Sequence, residues 1–172
     1  RFSRATSKSL DFPALHRGAL EKGIYLVGTG DFTHPDYFSE LQKQLIPAGN
    51  GLFRLKNQPD SVHFMLTAAV MGIYPDRGKT RRVHILILAP SFQAARRIGT
   101  SLSKWGKIAS DGRPILKTSV KQLAQTVLDI SETCMLIPAH IWTPWYSLLG
   151  DKTGYSSIEE AFGEWAPYIH AV

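Results

Sequence analysis

RRVHILILAP (residues 81–90) is the clearest strand in the chain: β-branched and leucine side chains follow one another until Pro90 closes the run. A strand wet on one face alternates apolar and polar residues. An unbroken apolar run implies burial on both faces, as in parallel strands covered by helices. The flanks fit that reading. Ser91 is placed to cap a helix over FQAARRIGTSLSKWG, and VKQLAQTVLDI sets Val120, Leu123, Val127 and Leu128 at helical spacing. Upstream, LDFPALHRGALEKG reads as a helix that Gly23 can stop, IYLVG as a buried strand, and PDYFSELQKQLI as a helix with Pro35 in its first turn. SVHFMLTAAV, CMLIPAH and YIHAV are further strands, and Ser157 to Glu160 forms a capping box before a short helix. Apolar strands between amphipathic helices predict a parallel α/β domain. No internal repeat, low-complexity run or linker divides it, so residues 1–172 are expected to be a single domain.

The composition narrows the function. Of 172 residues, 44% are hydrophobic, enough for one sizeable core. No apolar run is long enough to cross a bilayer, and RFSRATSKSL has no signal-peptide core, so an intracellular protein without a membrane partner is expected. The single cysteine, Cys134, excludes a disulfide framework and a multi-thiolate zinc site; it reads as a buried small hydrophobe. The formal charge of +6, with cations clustered in RFSRATSK, in RGKTRR and at Arg96 and Arg97, points to a polyanion such as nucleic acid. The chain starts on Arg1 and stops inside an apolar run, which suggests a segment of a longer protein.

Two nucleotide motifs fail on inspection. Gly28–Thr–Gly30 follows a strand, but Thr33 holds the third glycine position and Asp31 would repel a pyrophosphate. GIYPDRGKT puts five residues between Gly72 and Gly78 where a phosphate cradle needs four, and it precedes a strand instead of opening a helix. Metal chemistry fits better. Asp31 and His34 lie just past one strand and His140 ends another, at the carboxyl ends where α/β folds gather functional groups. His84 is near the start of its strand, a position that rule would not select. Neutral imidazoles and carboxylates suit zinc and similar divalent cations. His16 on a helix surface, His63 on a strand and His170 in the last strand are expected to be structural.

GTGDFTHP, VHILILAPS, SDGRPIL and IPAHIWTPWYSLLG together resemble the PHP superfamily, the polymerase and histidinol phosphatase group, and within it the endonuclease Q branch. The resemblance spans almost the whole chain; SDGRPIL and IPAHIWTPW are the branch-specific parts. It implies a distorted, TIM-like (β/α)7 barrel, here incomplete at both ends, with the first strand and the last strands missing. It also implies up to three divalent metals, zinc first and Mg or Mn as alternatives, at the carboxyl ends of the strands. The partner it implies is DNA carrying deaminated bases or abasic sites, nicked beside the lesion.

Residue by residue, the resemblance makes His34, His84 and His140 metal ligands, with Asp31 either a ligand or a group that orients an imidazole. Arg113, Trp142, Trp145, Tyr146 and Lys152 become candidate DNA contacts. An intact relative would hydrolyse the phosphodiester by two-metal chemistry, the ions about 3.5–4 Å apart. Two departures stand out. The family's His-x-His opening and later Asp-x-His segment lie outside this sequence, and Ala69 stands where relatives carry a glutamate that bridges two metals. The resemblance therefore predicts a chain that binds metal weakly and cuts DNA poorly. Two alternatives remain open: a DNA-binding or structural module without chemistry, and a small-molecule phosphoesterase.

Overall fold

A computed structural model of the chain describes residues 7, 9–58, 62–109 and 113–172. The basic cluster at 1–6 and 8, and Asp111 of SDGRP, lie outside the described residues. The elements run α1 (Phe12–Glu21), β1 (Leu26–Gly28), α2 (Pro35–Gln44), β2 (Leu45–Gly49), β3 (Leu52–Leu55), β4 (His63–Asp76), β5 (Lys79–Ala89), α3 (Phe92–Leu102), β6 (Ile115–Leu116), α4 (Val120–Ile130), β7 (Met135–Pro138) and α5 (Ile158–Phe162), followed by a 3-10 turn at Gly163–Tyr168.

The predicted helices form where their caps lie. Asp11, Ser91, Ser119 and Ser157 each accept a hydrogen bond from the backbone N–H three residues on. At the last of these, Glu160 reaches back to accept from the Ser156 N–H at 2.8 Å, one residue earlier than a strict capping box.

The sheet corrects the expectation of a parallel barrel. Its order is β2-β3-β4-β5-β7, every pair in that path antiparallel, and only the short β1 and β6 pair with β4 in parallel. Among the described residues the strands form an open, mixed sheet and do not close on themselves. The centre is the long hairpin of β4 and β5, in register from Leu66↔Ala89 to Asp76↔Lys79. Its two-residue turn, Arg77–Gly78, has φ of 49° and 75°. Positive φ at both positions is the type I′ geometry that matches the right-handed twist of antiparallel strands. The segment that failed as a phosphate loop is thus a hairpin turn.

Burial explains why the alternation was hidden. One face of β4 (Phe64, Leu66, Ala68, Val70, Gly72, Tyr74) is buried, and the other (Met65, Thr67, Ala69, Met71, Ile73) is half-buried yet almost as apolar. On the buried face Phe12 of α1 stacks on Tyr37 of α2 and meets Phe64 edge-on, while Phe92 of α3 packs on Phe38 and Phe53. Three smaller expectations are also corrected. His16 is 4% exposed and belongs to the core side of α1, not to a helix surface. The IYLVG run is an exposed edge, with Tyr25 68% exposed. YIHAV is a 3-10 end and coil, so His170 lies on no strand. Cys134 is buried as expected, and burial pushes its thiol up to about 11.

A polar knot ties the hairpin tip to α5. Arg81, on the buried face of β5, donates to the Gly154 carbonyl and lies over the Tyr155 ring at 4.2 Å. Tyr155 shares a 2.7 Å hydrogen bond with Tyr74, and Arg77 pairs with Glu160 at 3.2 Å. Burial is the main cause that raises the hydroxyl pKa of both tyrosines, so they remain neutral donors.

A candidate histidine–arginine centre at the sheet end

Antiparallel pairing resolves the placement of His84. β7 runs against β5, with Ile85 opposite Pro138, so the carboxyl end of β7 lies beside the beginning of β5. His140, two residues past β7, therefore meets His84: the His84 Nδ1 and His140 Nε2 atoms are 2.9 Å apart, and the ring centroids 5.0 Å. Two backbone bonds hold the junction, Ala139 N–H to the His84 carbonyl at 2.9 Å and His84 N–H to the Tyr146 carbonyl at 3.1 Å. His140 takes a left-handed φ of 39° and its Nδ1 is 3.0 Å from the Thr143 hydroxyl, which orients the ring.

Arg113 is the third member. Its guanidinium nitrogen is 3.2 Å from His84 Nδ1. His84 is 6% exposed, and among the described residues its buried Nε2 has no hydrogen-bond partner. Burial first, then the Arg113 charge, then His140, hold its imidazole down to about 4. It is neutral at pH 7 and able to offer a lone pair.

The depressed value makes an acid-stability prediction. The folded state resists protonation of His84 while the unfolded chain, near 6.5, accepts it. The resulting stability is complete above about pH 6.5 and lost as pH falls toward 4. Allowing for solvent screening at a site open on one side, the loss is about 2 kcal/mol. Urea midpoints at pH 7.5 and 4.5 should separate further in the wild type than in His84→Gln. Equal separations would show that this imidazole titrates normally.

Asp31 and His34 sit elsewhere on the same sheet. Their loop follows β1 along one edge of β4, where Phe32 N–H donates to the Thr67 carbonyl at 3.2 Å and Gly30 N–H to the Thr67 hydroxyl at 2.7 Å. Asp31 is left-handed at φ 34°, and His34 is the residue before α2. His84 pairs with Met71, four positions further along β4, so the backbone anchors are about 13 Å apart. The structure brings His84 and His140 together. Among the described residues, no three His, Cys, Asp or Glu side chains gather as metal ligands.

The donor set tests the implied metal directly. Zinc and its relatives take imidazole nitrogen with carboxylate or thiolate. This centre offers two imidazoles and a guanidinium, a cation placed among the donors. Ala69 shares the face: it pairs with Leu86, diagonal to His84, and presents a methyl group. The described residues by themselves do not fit a divalent metal.

The aromatic candidates lie in the loop that follows His140, whose Tyr146 carbonyl accepts from the His84 N–H. Trp142, Trp145 and Tyr146 are 77%, 50% and 39% exposed. Lys152 pairs with its neighbour Asp151 at 3.2 Å, and its N–H ties back to the Pro144 carbonyl. Arg82 was read only as part of the RGKTRR cluster and not singled out, although it carries a readable signal. It stands two positions before His84, hence on the same strand face, with its guanidinium 5.9 Å from the Tyr146 ring. No helix of the described residues is long and apolar enough to cross a membrane.

Of the comparisons with known proteins, the two solved structures point to one neighbourhood. No family model matches the chain. It is 30% identical over 145 residues to the uncharacterized protein MJ0043 of Methanocaldococcus jannaschii, an alignment covering 84% of this chain and 15% of that protein. Among solved structures, it is similar to endonuclease Q in complex with a 27-mer duplex substrate carrying an abasic lesion at the active site. There the TM-score is 0.79 and the identity 32%, over 95% of this chain and 38% of the other. The lesion-specific endonuclease PfuEndoQ from Pyrococcus furiosus gives 0.76 and 29%, over 95% and 37%. The chain thus spans well under half the length of the proteins it matches, and its structural neighbours are endonuclease Q.

Proposed function

We propose that this chain is the DNA-engaging part of an endonuclease Q-like DNA-repair protein of the PHP superfamily, one that recognises duplexes with abasic sites or deaminated bases. The observation that carries the reading is the likeness to a lesion-bound endonuclease Q, at 32% identity and TM-score 0.79 over 95% of the chain. The site chemistry supports it. Arg82 lies toward the exposed Tyr146 ring and Arg113 against His84, and cations with aromatic faces are what a distorted strand needs: charge for the phosphates, π-faces for unstacked bases.

The same chain binds such DNA better than it cuts it. Hydrolysis in the family's manner needs divalent cations, zinc or else Mg or Mn, held by histidine and carboxylate. His84 and His140 are the part of that donor set present here, Asp31 and His34 belong to a separate loop, and Ala69 supplies no oxygen. A non-catalytic DNA-binding module is accordingly the second reading, favoured by Ala69 and by the guanidinium beside His84.

Fluorescence anisotropy with labelled duplexes tests the reading. Abasic and uracil-containing duplexes should bind more tightly than an undamaged one, and affinity should fall steeply between about 50 and 200 mM salt as phosphate contacts are screened. Nicking of the same duplexes with Zn, Mg or Mn should be slow or absent. Absence of DNA affinity combined with turnover of soluble phosphomonoesters would replace this reading by the phosphoesterase one. Rapid nicking by this chain alone would remove the impairment.

A further inference from the structure

The 140–154 loop carries more than the DNA reading uses. Trp142 leaves 77% of its surface in water, the most exposed of the chain's large hydrophobic residues among those described. Trp145 and Tyr146 of the same loop are also exposed, at 50% and 39%, so the loop presents a run of aromatic surface and not a single stray ring.

The loop beneath it is over-determined. Thr143 N–H donates to the His140 carbonyl at 3.0 Å and the Thr143 hydroxyl to the Trp145 carbonyl at 2.9 Å. Tyr146 N–H donates to the Thr153 hydroxyl at 3.0 Å, and Ser147 Oγ to the Thr143 carbonyl. Leu149 N–H reaches the Ile141 carbonyl at 3.2 Å. A Cβ at Gly150 would run into the Thr143 carbonyl, and one at Gly154 into the Leu148 carbonyl. His140 and Tyr146, neither a glycine, are held left-handed at φ 39° and 62°. Such strain persists only where the surroundings enforce it, and it concentrates at working sites. Trp142 is therefore presented on a stiff mount beside an open hollow of about 570 Å³, which His140, Thr143 and Pro144 also line.

The partner chemistry follows from the neighbours. Arg113 stands against His84, which contacts His140 two residues from the indole, and Arg82 lies toward Tyr146. Two cations, one toward Tyr146 and one against His84, suit a phosphate backbone that passes along the base of this loop. A rigid indole can enter intact duplex only by unstacking a pair. A missing base leaves the slot already empty, so insertion there costs least.

We propose, resting on the DNA reading above, that Trp142 is a wedge that fills the gap of an abasic site and so selects that lesion by the base it lacks. Arg82 and Arg113 hold the adjoining phosphates, and the strained loop keeps the ring at a fixed height.

The test uses two duplexes identical except for one abasic site, each with 2-aminopurine beside that position, titrated in EDTA. The wild type should prefer the abasic duplex and change its reporter fluorescence on saturation, as an indole stacks on the neighbouring base. Trp142→Ala should lower the abasic-to-intact affinity ratio about tenfold and abolish the fluorescence change, whereas Trp142→Phe should retain much of both. Both variants should melt with the wild type, since the ring is in solvent. A wild-type ratio and reporter signal in Trp142→Ala would overturn the wedge while leaving the DNA reading intact. Failure of the wild type to bind either duplex would overturn both.

Discussion

Phe64→Ala is expected to cost about 3–5 kcal/mol, a large share of the roughly 5–15 kcal/mol that holds a domain together. Phe64 has no exposed surface. It is where three strands meet, opposite Val27 of β1 and Phe53 of β3. Its ring also receives Phe12 edge-on, 6.0 Å between centroids, which links α1 and through Tyr37 α2 to the sheet. Alanine there removes the ring and leaves a cavity at the junction, which rigid β pairing on both sides prevents from collapsing. Urea denaturation should show the midpoint displaced accordingly, with Phe64→Leu much milder. A loss below about 1 kcal/mol would mean that the β1–β3–β4 junction is looser than the packing indicates.

Ala69→Glu is the second large effect, in the opposite sense. Ala69 lies half-buried on the face that carries His84, so a glutamate there would bring a carboxylate toward two imidazoles already 2.9 Å apart. Two histidines and one glutamate are a donor set that zinc accepts. Affinity for Zn²⁺ should rise about 100-fold, in line with the order of magnitude at which groups around metal sites act. Calorimetric titration should show the gain in Ala69→Glu and none in Ala69→Gln, which has the same reach without the charge. Adding Arg113→Met to the glutamate variant should raise the affinity further, because the guanidinium competes for that carboxylate. No gain in either glutamate variant would mean that position 69 does not face the histidine pair.

The two predictions bracket what was legible in the residues. The helices were readable because a helix announces itself locally: a capping Ser or Asp, an apolar stripe and a stop are all within a dozen positions. Ser91, Ser119 and Ser157 illustrate this, since each caps within its own turn. The apolar strands β4, β5 and β7 were readable as strands, and YIHAV was not; the resemblance that IPAHIWTPW and VHILILAPS carry grouped His84 and His140, whose ring nitrogens meet at 2.9 Å, together with His34 and Asp31, which follow β1.

Strand direction was not readable from burial alone. Both faces of β4 are largely apolar, one against the helices and one half-covered, so the period-2 signal that marks an antiparallel strand was flattened. The Arg77–Gly78 turn was the missed clue, a two-residue loop between two apolar runs. The proximity of Arg113 to His84 joins residues 29 apart and had no local mark.

Residue chemistry along the chain thus determined the main helices, the strands β1, β4, β5 and β7, and that Ala69 lacks an oxygen donor. Only the tertiary structure decided that the sheet is mixed and open, that Arg113 joins the histidine pair, and that Trp142 stands out on a stiff loop. The physical reason is range: caps and stripes act over one or two turns, whereas pairing sense and side-chain convergence depend on contacts between residues dozens of positions apart.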